Sequence, residues 1–139
     1  MKKTAGPRIT SLVLTKSQAG IPVHIAADVD GIRVAYKVNH HGPVKECAHY
    51  VHSRKEIDLD YREHDPKVLQ AWTVHEYCEA VSRWPPHGEG LGPIVAHRKV
   101  ATPAERKHAK KIGLSWHMNI RETERIWRLN YEIGVRRRK

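Results

Sequence analysis

The hydrophobic period of this chain changes at Asp65-Pro66, so the residues on either side of that point cannot form the same kind of structure. Before it, apolar and polar residues alternate over short runs, the pattern of half-buried strands. The segment "PVHIAADVDGIRVAYKV" sets two β-branched runs around Asp30-Gly31, a dipeptide suited to the positive φ angles of a tight hairpin turn. After the break at "NHHGP", the segments "CAHYVHS" and "EIDLDYRE" resume the alternation, with Ile57, Leu59 and Tyr61 on one face and Asp58 and Asp60 on the other. Three or four antiparallel strands are expected before residue 64.

Beyond Asp65-Pro66 the period is helical. Asp65 can cap free amides and Pro66 needs no donor at a first helical position, so a helix is expected from Pro66 to about Arg83. The loop "WPPHGEGLGP" stops it, because Pro85 and Pro86 cannot donate to a helix. A second helix opens near Ile94. Thr102-Pro103-Ala104-Glu105 has the form of a capping box, which predicts a turn there and a restarted helix ending at Gly113. A last helix, roughly Asn119 to Ile133, carries Ile120, Trp127, Leu129 and Tyr131. The expected fold class is α+β, an N-terminal antiparallel sheet packed against about three helices.

At 139 residues the chain is the size of one domain with one core. We read it as a single domain with a flexible N-terminus over about residues 1–7 and a solvated basic tail over about 135–139. The formal charge of +10 predicts attraction to polyanions such as nucleic acid, partly through Arg136, Arg137, Arg138 and Lys139. Cys47 and Cys78 cannot make a disulfide framework and form no CxxC pair, which suits a reducing cytosol. The longest early apolar run, "LVL", is too short for a signal-peptide core or a membrane span, so a cytoplasmic location without a membrane partner is expected.

The stretch "QAWTVHEYCEAV" carries the chemistry. At 100° per residue, Val68, Ala71, Trp72, His75, Cys78, Glu79 and Ser82 share one arc, while Gln70, Thr73 and Tyr77 face away. His75 and Glu79 thus lie one turn apart on the apolar face, their β-carbons about 6 Å apart. A carboxylate there needs compensation. It can share a divalent metal with His75, pair with one of the 25 basic residues, or lie in a wet cleft. Cys78 offers a thiolate on the same arc. His40-His41 and His49 and His52 offer further nitrogens, which we read as surface or loop histidines. A second His in "AHRKVATPAE", His97, can face the first helix across the Gly/Pro loop, and three protein ligands with an open fourth position are what catalytic zinc requires. Glu105 fits the capping-box acid better than a ligand, since a continuous helix puts it about 12 Å from His97 along the axis.

"HEYCE" resembles the HExxH helix of zinc metallopeptidases. With the strands before it and "AHRKVATPAE" and "GLSW" after it, roughly Tyr50 to Trp116 is similar to a group of small phage- and prophage-encoded zincin-like proteins. The resemblance implies zinc at His75, Glu79 and His97, with Glu76 as general base, acting on a peptide or small amide substrate. Glu79 stands where the peptidases have His; an anionic ligand makes a zinc-bound water less acidic. From a different class, "AKKIGLSW" has the Ala-x-x-x-Gly turn of helix-turn-helix proteins, beside Arg106, Lys107, Lys110 and Lys111. The positions six and nine after Gly113, Asn119 and Glu122, are polar where a recognition helix needs apolar residues. This leaves a nucleic-acid- or host-partner-binding protein as the alternative to a metal-dependent hydrolase.

Overall fold

A computed structural model describes residues 6–137. Five strands, β1 (Ile9–Lys16), β2 (Pro22–Val29), β3 (Ile32–Gly42), β4 (Ala48–Val51) and β5 (Glu56–Asp60), precede four helices, α1 (Pro66–Arg83), α2 (Pro93–Val95), α3 (Thr102–Lys111) and α4 (Trp116–Arg137). A π-helical stretch, Ala96–Ala101, joins α2 to α3 without a break, so 93–111 is one rod and the fold has three helical bodies.

The β2–β3 hairpin turns at Asp30 (φ 50°) and Gly31 (φ 84°), as their residue types require. The sheet order is β1-β2-β3-β5-β4, and β3 runs parallel to β5. The expected three or four antiparallel strands are therefore five in a mixed sheet. The additional strand, β1, carries a bulge between Thr10 and Val13, with Ser11 at φ 52°. That bulge interrupts the two-residue alternation by which a strand is recognised. The parallel pair arises because the chain leaves β3 at the "HHGP" break, forms β4 on the outside, and returns as β5 between the two. The turn into β5 leaves β4 as an edge strand.

α1 begins as its cap predicts: the Asp65 side chain accepts from the Lys67 amide at 2.9 Å, and Pro66 follows it. The helix lies between the sheet and the 93–111 rod. Gln70, Thr73 and Tyr77, expected to face away, are buried. Tyr77 is fully buried against β2 and β3, and its hydroxyl donates to the Val34 carbonyl at 2.7 Å. A helix packed on two sides has no solvent face over most of its length. Cys78 is among the buried residues too, and burial pushes its thiol up to about 12. It supplies no thiolate.

The expected turn at Thr102-Pro103 does not occur. Thr102 is helical (φ −63°, ψ −45°), and its amide donates to the carbonyl of His97, five residues back. Pro103 has no amide to give, and in a regular helix its ring would press on the carbonyl of Lys99. The wider π turn just before it accommodates both constraints within a continuous helix. The rod ends as the sequence predicts, at Gly113 (φ 75°). Leu114 N–H reaches the Ala109 carbonyl and Gly113 N–H the Lys110 carbonyl, the paired bonds of a Schellman stop.

α4 crosses the molecule and is fastened at its far end. Asp60, fully buried at the end of β5, accepts from the Val44 amide and from the amide and guanidinium of Arg62. Arg62 donates in turn to Asn130 of α4, and Asn130 donates to the Val44 and Lys45 carbonyls, both at 2.9 Å. The helix continues to Arg137, so 135–137, expected in a disordered tail, are helical; residues 138–139 and 1–5 of the expected flexible ends lie outside the described residues. Among the described residues no helix is long and apolar enough to cross a membrane.

Candidate metal centre

His75 and Glu79 open onto a cavity of about 580 Å³ between α1, β4, the 93–111 rod and α4. Both are partly buried, with 13% and 22% of their side chains exposed. The face that the helical arc assigned to the core is thus a wet cleft over this one turn. His97, from the π-helical stretch, completes a cluster. His75 Nε2 lies 3.1 Å from His97 Nδ1, Glu79 Oε1 lies 3.2 Å from His97 Nδ1, and Glu79 Oε1 lies 3.5 Å from His75 Nε2.

These spacings test whether the donors fit a metal. Bond lengths of about 2.0–2.2 Å at tetrahedral angles require donor atoms about 3.3–3.5 Å apart, along the edges of the tetrahedron. The observed triangle comes near that requirement: one edge is 3.5 Å, and the other two, at 3.1 and 3.2 Å, would have to open slightly to seat an ion. The donor set of two imidazoles and a carboxylate is one that zinc and its neighbours accept.

Glu105 belongs to this cluster in a different capacity from either expected one. It caps nothing, because the helix runs through Thr102, and it is not among the three mutually adjacent donors. Instead its Oε1 takes the other nitrogen of His75, Nδ1, at 2.7 Å. Its Oε2 accepts from Asn119 Nδ2 at 2.6 Å, and both residues are buried. A proton held on Nδ1 by Glu105 would direct a metal to Nε2, from which the ion must displace the second proton that the two carboxylates favour. A carboxylate behind a metal-bound histidine is a common arrangement. The 12 Å separation along the rod is thereby met: the His75 ring spans the gap, one nitrogen toward His97 and the other toward Glu105.

The π turn explains why both rod residues face α1. Eight regular helical steps from His97 to Glu105 would turn them about 80° apart around the axis. A π turn absorbs one residue, leaving seven steps and an offset of about 20°. π turns of this kind occur frequently at functional sites.

Electrostatically the cavity is acidic within a basic protein. Burial opposes charge on His75, yet the hydrogen bonds that its ring donates to Glu105 and Glu79 outweigh it and hold the imidazole at about 10. Those from His75, against a smaller cost of burial, keep the Glu79 carboxyl below its ordinary range. Glu76 lines the same cavity, next to the cluster on α1. Burial pushes its carboxyl up to about 8; His75 and the Tyr50 amide counteract the rise, and Glu79 and Glu46 add to it. His40 and His41 lie elsewhere, His40 hydrogen-bonded to the Glu63 carbonyl at 2.8 Å. His49 is at the cavity rim, and His52 stacks on Trp84. The contribution that motif reading missed is aromatic: Trp72, Trp84, Trp116 and Trp127, every tryptophan of the chain, line this cavity. Nothing in their spacing along the sequence signals that they converge.

The fold and the cluster define an α+β protein with a His-Glu-His donor triad at the mouth of an aromatic cavity. No protein-family model, curated protein or solved structure matches the chain.

Proposed function

We propose that this protein is a divalent-metal-dependent hydrolase of zincin type, acting on a peptide or amide bond. The observation that carries the reading is the 3.1–3.5 Å triangle of His75 Nε2, Glu79 Oε1 and His97 Nδ1, open on one side to the cavity. Zinc held there would polarise the substrate carbonyl and lower the pKa of a bound water. His75, Glu79 and His97 hold the ion; Glu105 fixes the ring of His75. Glu76, which lines the same cavity, would take the proton from the bound water. With its carboxyl pushed up to about 8, it serves as a base only in its ionised fraction, which grows as pH rises toward that value. The phage-type zincin resemblance of "HEYCE" and "AHRKVATPAE" supports the same assignment.

The test is elemental analysis of protein purified without chelator, together with mass-spectrometric scoring of a mixed synthetic peptide library. Wild type and Glu76→Gln should carry about one metal per chain, and His75→Ala none; cleavage should vanish in both variants. A His75→Ala protein that unfolds, beside a Glu76→Gln protein with nothing changed, would mean a structural ion instead.

A second reading rests on another surface. Arg98, Lys99, Lys107, Lys110 and Lys111 are exposed on the 93–111 rod outside the cavity lining, and Arg106 is exposed beside Trp116 at its edge. Such a row suits phosphate contacts to nucleic acid. The helix-turn-helix variant of this reading loses support, because Asn119 joins α4 to α3 through a buried hydrogen bond to Glu105 where a recognition helix needs an apolar contact.

A further inference from the structure

We infer that the part of α4 bearing Trp116, Ile120 and Trp127 is a substrate side-chain subsite, which seats an aromatic or branched aliphatic residue flanking the amide held at the metal centre. The inference rests on the hydrolase reading and adds the substrate class to it.

Three observations converge. Ile120 and Trp127 are 42% and 51% exposed, and they line the cavity. Seven residues apart, they share one helix face to within about 20°. Charged, exposed residues flank them, Arg121, Glu124 and Arg128, and of the exposed apolar residues of α4 it is Ile120 and Trp127 that line the cavity, whereas Met118 and Tyr131 do not. Large apolar groups left in water beside a polar cluster mark a place where a ligand covers them.

The four tryptophans are also not equivalent. Trp72 is buried as the floor, its indole N–H donating to Thr123 Oγ1 at 2.9 Å. Trp84 has the Arg83 guanidinium 4.4 Å from its ring and His52 stacked at 4.6 Å, and Trp116 has Arg106 at 5.0 Å. Among the described residues Trp127 stacks on no ring and no guanidinium, so its face is the one available to a ligand.

Distance along α1 places the subsite correctly. α4 meets α1 at Trp72, whereas His75 and Glu79 stand about 5 and 10 Å further along the helix. A phenyl or isobutyl side chain spans a comparable length from its backbone amide. A cavity of about 580 Å³ holds such a side chain and the neighbouring peptide units together.

Hydroxamic acids separate the two claims, since the chelating group reports on the metal and the side chain on the subsite. Dissociation constants of acetohydroxamic acid and phenylacetohydroxamic acid are measured by calorimetry on zinc-loaded protein. The phenyl compound should bind at least about tenfold more tightly, a difference of about 1.4 kcal/mol. Trp127→Ala should abolish that advantage and leave acetohydroxamic acid unchanged, while Trp127→Phe should keep most of it. Equal binding of the two compounds by wild type, or an advantage that survives Trp127→Ala combined with Ile120→Ala, overturns the subsite alone. Failure of acetohydroxamic acid to bind at all overturns the metal reading and the subsite with it.

Discussion

His75 engages a different helix with each of its nitrogens, and this makes it the pivotal residue. Nδ1 meets Glu105 of α3 at 2.7 Å, and Nε2 meets His97 of the π stretch at 3.1 Å. Glu105→Gln keeps the shape and one acceptor but removes the charge that stabilises the Nδ1 proton. Zinc affinity, measured by competition with a chromophoric chelator, should fall about 10–100-fold with the circular dichroism unchanged. A second buried acid controls stability and not chemistry. Burial of Asp60 favours its neutral form, but the bonds from Arg62 and Val44 win and hold its carboxyl below the ordinary range. A lowered folded-state pKa gives stability that is complete above the unfolded-state value and is lost as pH falls through the folded one. In urea unfolding, Asp60→Asn should therefore cost about 3 kcal/mol near neutral pH, because it leaves Arg62 without its counter-charge. The gap to wild type should narrow as the medium is made strongly acidic.

Among the elements, the π stretch decides whether there is a site at all. His97 and Glu105 face α1 together because one residue is taken up in the wide turn before Pro103. Inserting one alanine after Lys99 should rotate His97 by about 100° relative to Glu105. Metal content should drop to background although α1 and the sheet are untouched, which elemental analysis beside near-ultraviolet circular dichroism would show. The loop before the rod is set by a close approach: a β-carbon on Gly90 would stand 1.7 Å from the Arg83 carbonyl oxygen. Together with the Leu91 N–H bond to the Ser82 carbonyl, this folds the loop back on the end of α1 and brings His97 across to it. Glycine at position 90 is thus a packing requirement.

For the whole molecule, the three donors come from two helical bodies, so a bound ion joins parts that otherwise separate on unfolding. Zinc at about 100 times its dissociation constant should stabilise the fold by about 2.7 kcal/mol, seen as a raised thermal midpoint that a chelator reverses. His97→Ala should reduce that increment sharply. Within a chain of net charge +10, the rod and α4 carry exposed cations outside the cavity lining, among them Lys99, Lys107, Lys110, Arg121 and Arg128. If these contact phosphates, binding to a short DNA duplex should be insensitive to base sequence and fall steeply as salt is raised, read by fluorescence anisotropy. The Glu76→Gln variant should bind such DNA as wild type does, since the cavity plays no part in it.

Local chemistry was legible in the sequence: the Asp30-Gly31 hairpin, the Asp65-Pro66 start of α1, the Gly113 stop and the one-turn spacing of His75 and Glu79 each follow from backbone constraints acting within a few residues. Tertiary structure decided what depends on how elements face one another. The parallel β3–β5 pair, the burial of Tyr77, the convergence of four tryptophans and the partner of Glu105 are of this kind. Glu105 shows the reason. Its capping-box spacing is a correct local signal, but a proline with no amide and a histidine on another helix shift the balance from a turn to a π-helix. Energies of that size come from contacts between residues 30 apart in the chain, beyond the reach of any local pattern.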